Sequence, residues 1–148
     1  MKLQKSQKTY VPTEKNLEKS WYILDVKDKP LGRTATKIAD VLRGKTKTWF
    51  SPQLDCGDFV VVVNASHIKL AGNKMESKTY HWHTRYGGGF RTRTARQLLE
   101  KKPEKILFDA VWGMMPRNKL RNSIMKKLRI FPLEAHEHTA QAPKPITL

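Results

Sequence analysis

Residues 80–94 read YHWHTRYGGGFRTRT, with two histidines spaced two apart, three consecutive glycines, three arginines and no acid. Three kinds of chemistry draw on such a string: a metal site, a phosphate-cradling nucleotide loop, or a surface that holds a polyanion. His81 and His83 could project from one face of a strand, and His136 and His138 supply two more imidazoles. Neither pair has the spacing of a zinc finger or a zincin, and Arg85, Arg91 and Arg93 would repel a divalent cation. Gly87, Gly88 and Gly89 do not form a P-loop, because no G-x-x-x-x-G-K-[ST] string exists, and a dinucleotide fingerprint would need glycine where Thr92 stands. No metal and no cofactor is therefore expected. What remains is simpler: residues without a Cβ let backbone come close to a partner, and their N–H groups are free to meet anionic oxygens.

The surrounding charges favour that last reading. From Tyr80 to Gln97 there are four arginines, Arg85, Arg91, Arg93 and Arg96, and no carboxylate. His81, His83 and Tyr86 add stacking planes and donors suited to RNA. A second basic segment, Trp112 to Arg129, carries Arg117, Lys119, Arg121, Lys126, Lys127 and Arg129, again without an acid. Charge runs are usually solvated helix faces, but six uncompensated cations on about five helical turns of chain call for a polyanion. Lys45 and Lys47, together with a Lys-rich stretch before Trp21, supply further candidate phosphate contacts.

The totals agree. Over 148 residues, 29 Lys and Arg against 13 Asp and Glu leave a formal charge of +16 and a pI near 10.1. Such an excess destabilises a compact state unless an anionic partner neutralises it, and nucleic acid is the commonest such partner. A lone cysteine, Cys56, excludes an intramolecular disulfide scaffold. The longest apolar run, Phe59 to Val63, is far too short to span a bilayer, and the first residues lack the apolar stretch of a secretory signal. A cytoplasmic setting is expected, with no membrane and no small-molecule substrate. Catalytic sets are sparse. Asp55 and Asp58 flank a glycine in a turn, and nothing in the sequence activates the Cys56 thiol. A small α/β enzyme acting on a nucleotide through His81, His83 or Asp58 stays as the second reading.

These side chains need a scaffold, and the periodicities describe one. Trp21–Val26 reads as a strand. Leu31, Ala35, Ile38, Ala39 and Leu42 recur at helical spacing, with Gly44 placed as the C-terminal cap. Phe59–Val63 does not alternate polar with apolar, so both of its faces should be covered, as in a parallel sheet. His67–Leu70 and Lys78–Thr84 read as short strands, the second with Tyr80, Trp82 and Thr84 on one face and His81 and His83 on the other. Thr94 to Gln97 has the capping-box form, and Pro103 suits the first turn of the next helix. Leu120, Ile124 and Leu128 share the stripe of a last helix. Residues 1–20 are expected as a basic arm, 21–140 as a single α/β domain, and 141–148 as an extended tail.

Several strings together, LGRTATKIADVLRGK, DCGDFVVVVNA, KTYHWHTRYGGG, LLEKKPEKI and VWGMMPRNKLRNSIMKKLRIF, resemble the bacterial form of the large-subunit ribosomal protein thirteen family. The resemblance runs in order from Trp21 to the Gln-Ala-Pro tail. It implies a three-layer α/β/α domain around a mainly parallel four-stranded sheet. It also implies a structural, non-enzymatic role in the large ribosomal subunit. The implied partners are large-subunit ribosomal RNA of the 23S type and neighbouring ribosomal proteins, with binding early in assembly. By position, the family's glycine loop falls on His83, Thr84, Tyr86, Gly88 and Gly89, and its second block on Gly113, Met114, Pro116 and Asn118. The chain departs from the family at Arg121, where glycine is common, at Pro132-Leu133, and at Cys56, where threonine is common.

Overall fold

The computed structural model describes residues 12–13 and 17–146. The expected arm at 1–20 thus lies largely outside the described residues. Strand β1 (Trp21–Asp25) leads through a turn into helix α1 (Leu31–Arg43). This helix buries Leu31, Ala35, Ile38, Ala39 and Leu42, the stripe that the spacing predicts. Gly44 closes it in the left-handed region at φ 74°, its N–H donating to the carbonyls of Asp40 and Val41. A loop then carries the chain to β2 (Phe59–Val63), of which Val60 to Val63 are all buried, as a non-alternating run requires.

After β2 come a short helix α2 (Lys74–Ser77) and an antiparallel ribbon, β3 (Thr79–His83) with β4 (Phe90–Thr94). Thr94 caps helix α3 (Ala95–Lys101), and the reciprocal bonds with Gln97 complete the capping box. Pro103 opens α4 (Pro103–Met114), and α5 (Leu120–Met125) and β5 (Leu128–Ile130) follow. The last strand is β6 (Lys144–Pro145).

The main sheet has the order β5-β2-β1-β6, and all three pairings are parallel. Helices flank it, so the α/β architecture is present. Leu24 of β1 and Val26 just after it, Val60 and Val62 of β2, Ile38 and Leu42 of α1, and Ile106, Leu107 and Val111 of α4 form one buried cluster. On the opposite face of the sheet Trp21 stacks on Phe59 at 4.3 Å, with His138 against Trp21 at 5.2 Å.

Two expectations change. Leu128 shares no helix with Leu120 and Ile124. Helix α5 stops at Met125, and Leu128 pairs with Val60 as a strand, because the free edge of β2 supplies a ladder there. Residues 67–70 do not make a regular strand. Ala65–His67 form a 3-10 turn, and Lys69 makes one isolated parallel bridge with Pro30. Within the expected extended tail at 141–148, residues 144–145 form β6, and the Ile146 N–H just after it donates to the Ile23 carbonyl at 2.9 Å.

Candidate nucleic-acid interface

The β3–β4 ribbon stands out from the core with one hydrogen-bonded tip. The Thr84 N–H donates to the Gly89 carbonyl at 3.0 Å, and the Gly89 N–H donates to the Tyr86 carbonyl at 2.9 Å. His83 Nδ1 accepts from the Arg85 N–H at 2.9 Å, which holds Arg85 in the left-handed region at φ 70°. Gly88 also has positive φ, 66°, and a Cβ on Gly87 or Gly88 would meet nothing within 4 Å. Gly89 differs. A Cβ there would lie 2.2 Å from Thr84 Oγ1 and 2.7 Å from the Tyr86 carbonyl oxygen. Its missing side chain thus serves the turn itself. Gly87 and Gly88 keep open space. Beside them Tyr86 is 80% and Phe90 62% exposed, a large apolar area for a ribbon tip.

The register divides the ribbon's residues between two faces. Trp82 lies opposite Arg91 and Tyr80 opposite Arg93, whereas His81 faces Thr92 and His83 faces Phe90. Directly opposed residues share a face, so Tyr80, Trp82, Arg91 and Arg93 form one surface, and His81, His83 and Phe90 the other. On the first, the Arg93 guanidinium sits 4.8 Å over the Trp82 ring. On the second, His81 stacks on Phe90 at 5.5 Å with an interplanar angle of 15°. Histidines and arginines that the sequence places in one string therefore address opposite sides.

The other basic candidates fall into two groups. Arg117, Asn118, Lys119, Lys126 and Arg129 are exposed, as are Lys45 and Arg96, which pair loosely with Asp40 at 3.1 Å and Glu76 at 2.9 Å. Exposed pairs of this kind contribute little to stability and exchange readily for phosphate. Lys47 and Lys127 form the second group, each paired with a carboxylate. The Lys127 side chain is 5% exposed, and its ammonium donates to Asp55 and to the Leu42 carbonyl at 3.2 Å. Burial pushes its pKa down, against the opposing pull of Asp55. Lys47 donates to Asp58 Oδ1 at 2.7 Å and to the Glu18 carbonyl at 2.8 Å. Asp58, 2% exposed, also accepts from the Ser20 N–H at 2.8 Å. These two lysines stitch the 45–58 loop to its surroundings, because a carboxylate this deeply buried requires a cation. Asp58 is thereby committed to structure, which removes it from the enzyme reading.

Arg121 is also partly withdrawn from solvent. Its guanidinium lies 3.8 Å over the Trp112 ring and donates to the Trp112 carbonyl, securing the last turn of α4. Cys56 is buried, its thiol directed at the Ser51 carbonyl at 3.8 Å. His136 and His138 pack on Phe131 and Trp21, away from the β3–β4 ribbon. Among the described residues no three His, Cys, Asp or Glu gather as a metal site would need. Also among them, no helix is long and apolar enough to cross a membrane.

One feature was missed by sequence reasoning. Tyr80, Trp82 and Arg93 of the ribbon, Lys102 before α4, and Lys105 and Asp109 on it line a cavity of about 470 Å³. Desolvation raises the Asp109 carboxyl above its usual value, with Lys105 opposing it, and raises the Tyr80 phenol. The signal available in advance was the spacing of Lys102, Lys105 and Asp109, which places three charges along one side of a helix start.

Known proteins share this chain over nearly its whole length. A family model described as ribosomal protein L13 matches residues 19–137. The "large ribosomal subunit protein uL13" of Citrifermentans bemidjiense is 50% identical over 141 residues, covering 95% of this chain and 99% of the relative. Proteins of the same name from Maridesulfovibrio salexigens and Aquifex aeolicus are 49% and 45% identical, covering 93% and 94% of the chain and 96% of each relative. The parallel sheet, the glycine-tipped ribbon and these matches lead to one assignment: the chain belongs to the ribosomal protein L13 family.

Proposed function

We propose that this protein is a structural constituent of the large ribosomal subunit in the cytoplasm. In this reading it binds large-subunit ribosomal RNA, supports early subunit assembly beside neighbouring ribosomal proteins, and catalyses no reaction. The observation that carries the proposal is the exposed β3–β4 ribbon, with open Gly87 and Gly88 at its tip and separate histidine and arginine faces. A ribbon with two recognition faces can enter a fold of RNA and meet phosphates on one side while stacking on the other. Arg117, Lys119, Lys126 and Arg129 extend the cationic surface, which in a chain of charge +16 supplies sequence-independent attraction. The names of the L13 relatives point to the same assembly.

Sedimentation of tagged protein from a lysate at moderate and high salt tests this. Migration with the large subunit at both salts is the expected result. A free protein without RNA at physiological salt would overturn the reading.

A further inference from the structure

The cavity between the β3–β4 ribbon and the start of α4 has the parts of a nucleotide pocket. Its volume of about 470 Å³ lies in the range of small-ligand sites, which run from about 300 to 1,000 Å³. One wall is aromatic and flat: Trp82 carries the Arg93 guanidinium at 4.8 Å, which leaves a planar cation as the next stacking surface. The rim carries the cations Lys102 and Lys105. Among the described residues the only acid lining the cavity is Asp109, a half-buried carboxylate that can only accept hydrogen bonds when ionised. Among the described residues it forms no ion pair within 4 Å, although Lys105 lies one turn away.

These groups select among the bases. A carboxylate with two acceptor oxygens matches an edge with two adjacent donors. Guanine presents such an edge in its N1–H and its 2-amino group. Adenine and cytosine each set one amine beside an acceptor nitrogen, and uracil sets one N–H between two carbonyls. Cations on the rim suit the phosphate of the same nucleotide. Tyr80 and Asp109, both desolvated where they line the cavity, are the groups that a ligand's donors would satisfy.

We propose that this cavity holds one unpaired guanosine nucleotide, with its base on the Arg93–Trp82 stack, its donor edge on Asp109 and its phosphate between Lys102 and Lys105. The inference rests on the RNA-binding reading for its natural source, an everted nucleotide of bound RNA. A free guanosine monophosphate carries the same chemistry.

The test uses the full chain with 15N-labelled tryptophan and reads the Trp82 indole resonance and the affinity. The probes are guanosine and adenosine monophosphates, and RNA hairpins identical except for one bulged guanosine, adenosine or inosine. The bulged-guanosine hairpin should shift the Trp82 resonance and bind about tenfold more tightly than the adenosine hairpin, as a paired base contact implies. Inosine, which lacks the 2-amino group, should fall between them. Asp109→Asn should bring the guanosine and adenosine hairpins within about twofold of each other. It should leave the salt dependence of the hairpin body unchanged, since no phosphate contact is removed. Lys102→Ala with Lys105→Ala should weaken both hairpins while keeping the base preference. A Trp82 shift with guanosine monophosphate as well as RNA extends the site to free nucleotides, and a shift with RNA alone ties it to RNA.

Equal affinity for guanosine and adenosine hairpins, or discrimination that survives Asp109→Asn, overturns the proposal. Should the chain bind no RNA, the wider function fails. The monophosphates then decide the pocket by themselves: a Trp82 shift with guanosine but not adenosine sustains it, and no shift ends it.

Discussion

The Lys127 ammonium donates to the Asp55 carboxylate across 72 residues of sequence, although its neighbours Lys126 and Arg129 both face solvent. A stretch of like charges thus contains two kinds of cation, and substitution should separate them. Lys127→Met should destabilise the fold by about 2–3 kcal/mol, less than the extreme for a broken buried pair because Lys19 also reaches Asp55 at 3.2 Å. Denaturant unfolding measures this. RNA affinity of the folded fraction should not change.

Lys126→Ala should behave in the opposite way. This residue is exposed, so unfolding should shift by less than about 0.5 kcal/mol. The slope of log affinity against log salt should become shallower by about one. With about six to eight phosphates engaged, the parent slope should be about −4 to −7. Arg91→Ala on the ribbon should flatten it in the same way, and an unchanged slope would remove that ribbon face from the interface.

The three tip glycines should not respond alike. Gly87→Ala meets open space at ordinary φ, so lost affinity there reports contact with RNA rather than a damaged fold. Gly88→Ala should cost about 1–2 kcal/mol of local backbone strain at its positive φ. Gly89→Ala should disorder the tip, since the added carbon overlaps Thr84 Oγ1. Amide exchange at Thr84 and Gly89 would show this directly.

Asp109 gives a pH signature. Its carboxyl is raised in the folded state by desolvation, so the native protein holds that proton to higher pH than the unfolded chain. Its contribution to stability is therefore fully present below the unfolded value of 3.8 and is lost as pH rises through the folded value. Asp109→Asn should melt above the parent protein at neutral pH, with the gap closing as pH falls toward 3.8. A gap that persists unchanged in acid would contradict this.

What could be read in advance was whatever depended on near neighbours. The capping box of Thr94 and Gln97, the Gly44 cap and the α1 stripe are each settled within one or two turns of chain. The two-faced burial of Val60–Val63 follows from composition alone. Leu128 shows the limit. Its spacing from Leu120 and Ile124 suits a helix, but the partner that makes it a strand is Val60. Lys127 shows the same limit for a site, since only the distant Asp55 distinguishes it from Lys126. The ribbon's two faces required the register, which sets Trp82 against Arg91 rather than His83 against it.

Strand β6 gives the fold an order in time. Strand β1, at residues 21–25, acquires its β2 neighbour once residue 63 exists, but its other edge stays open until residues 144–146 have been made. The longest-range pairing in the sheet is thus the last to become possible, and closing so large a loop is the slow step in assembling non-local contacts. During synthesis, Trp21–Asp25 presents unpaired backbone along that edge to any passing strand until residues 144–146 cover it. The finished sheet therefore depends on a segment made long after the strand it covers. A product that stops before residue 144 would carry an adhesive edge.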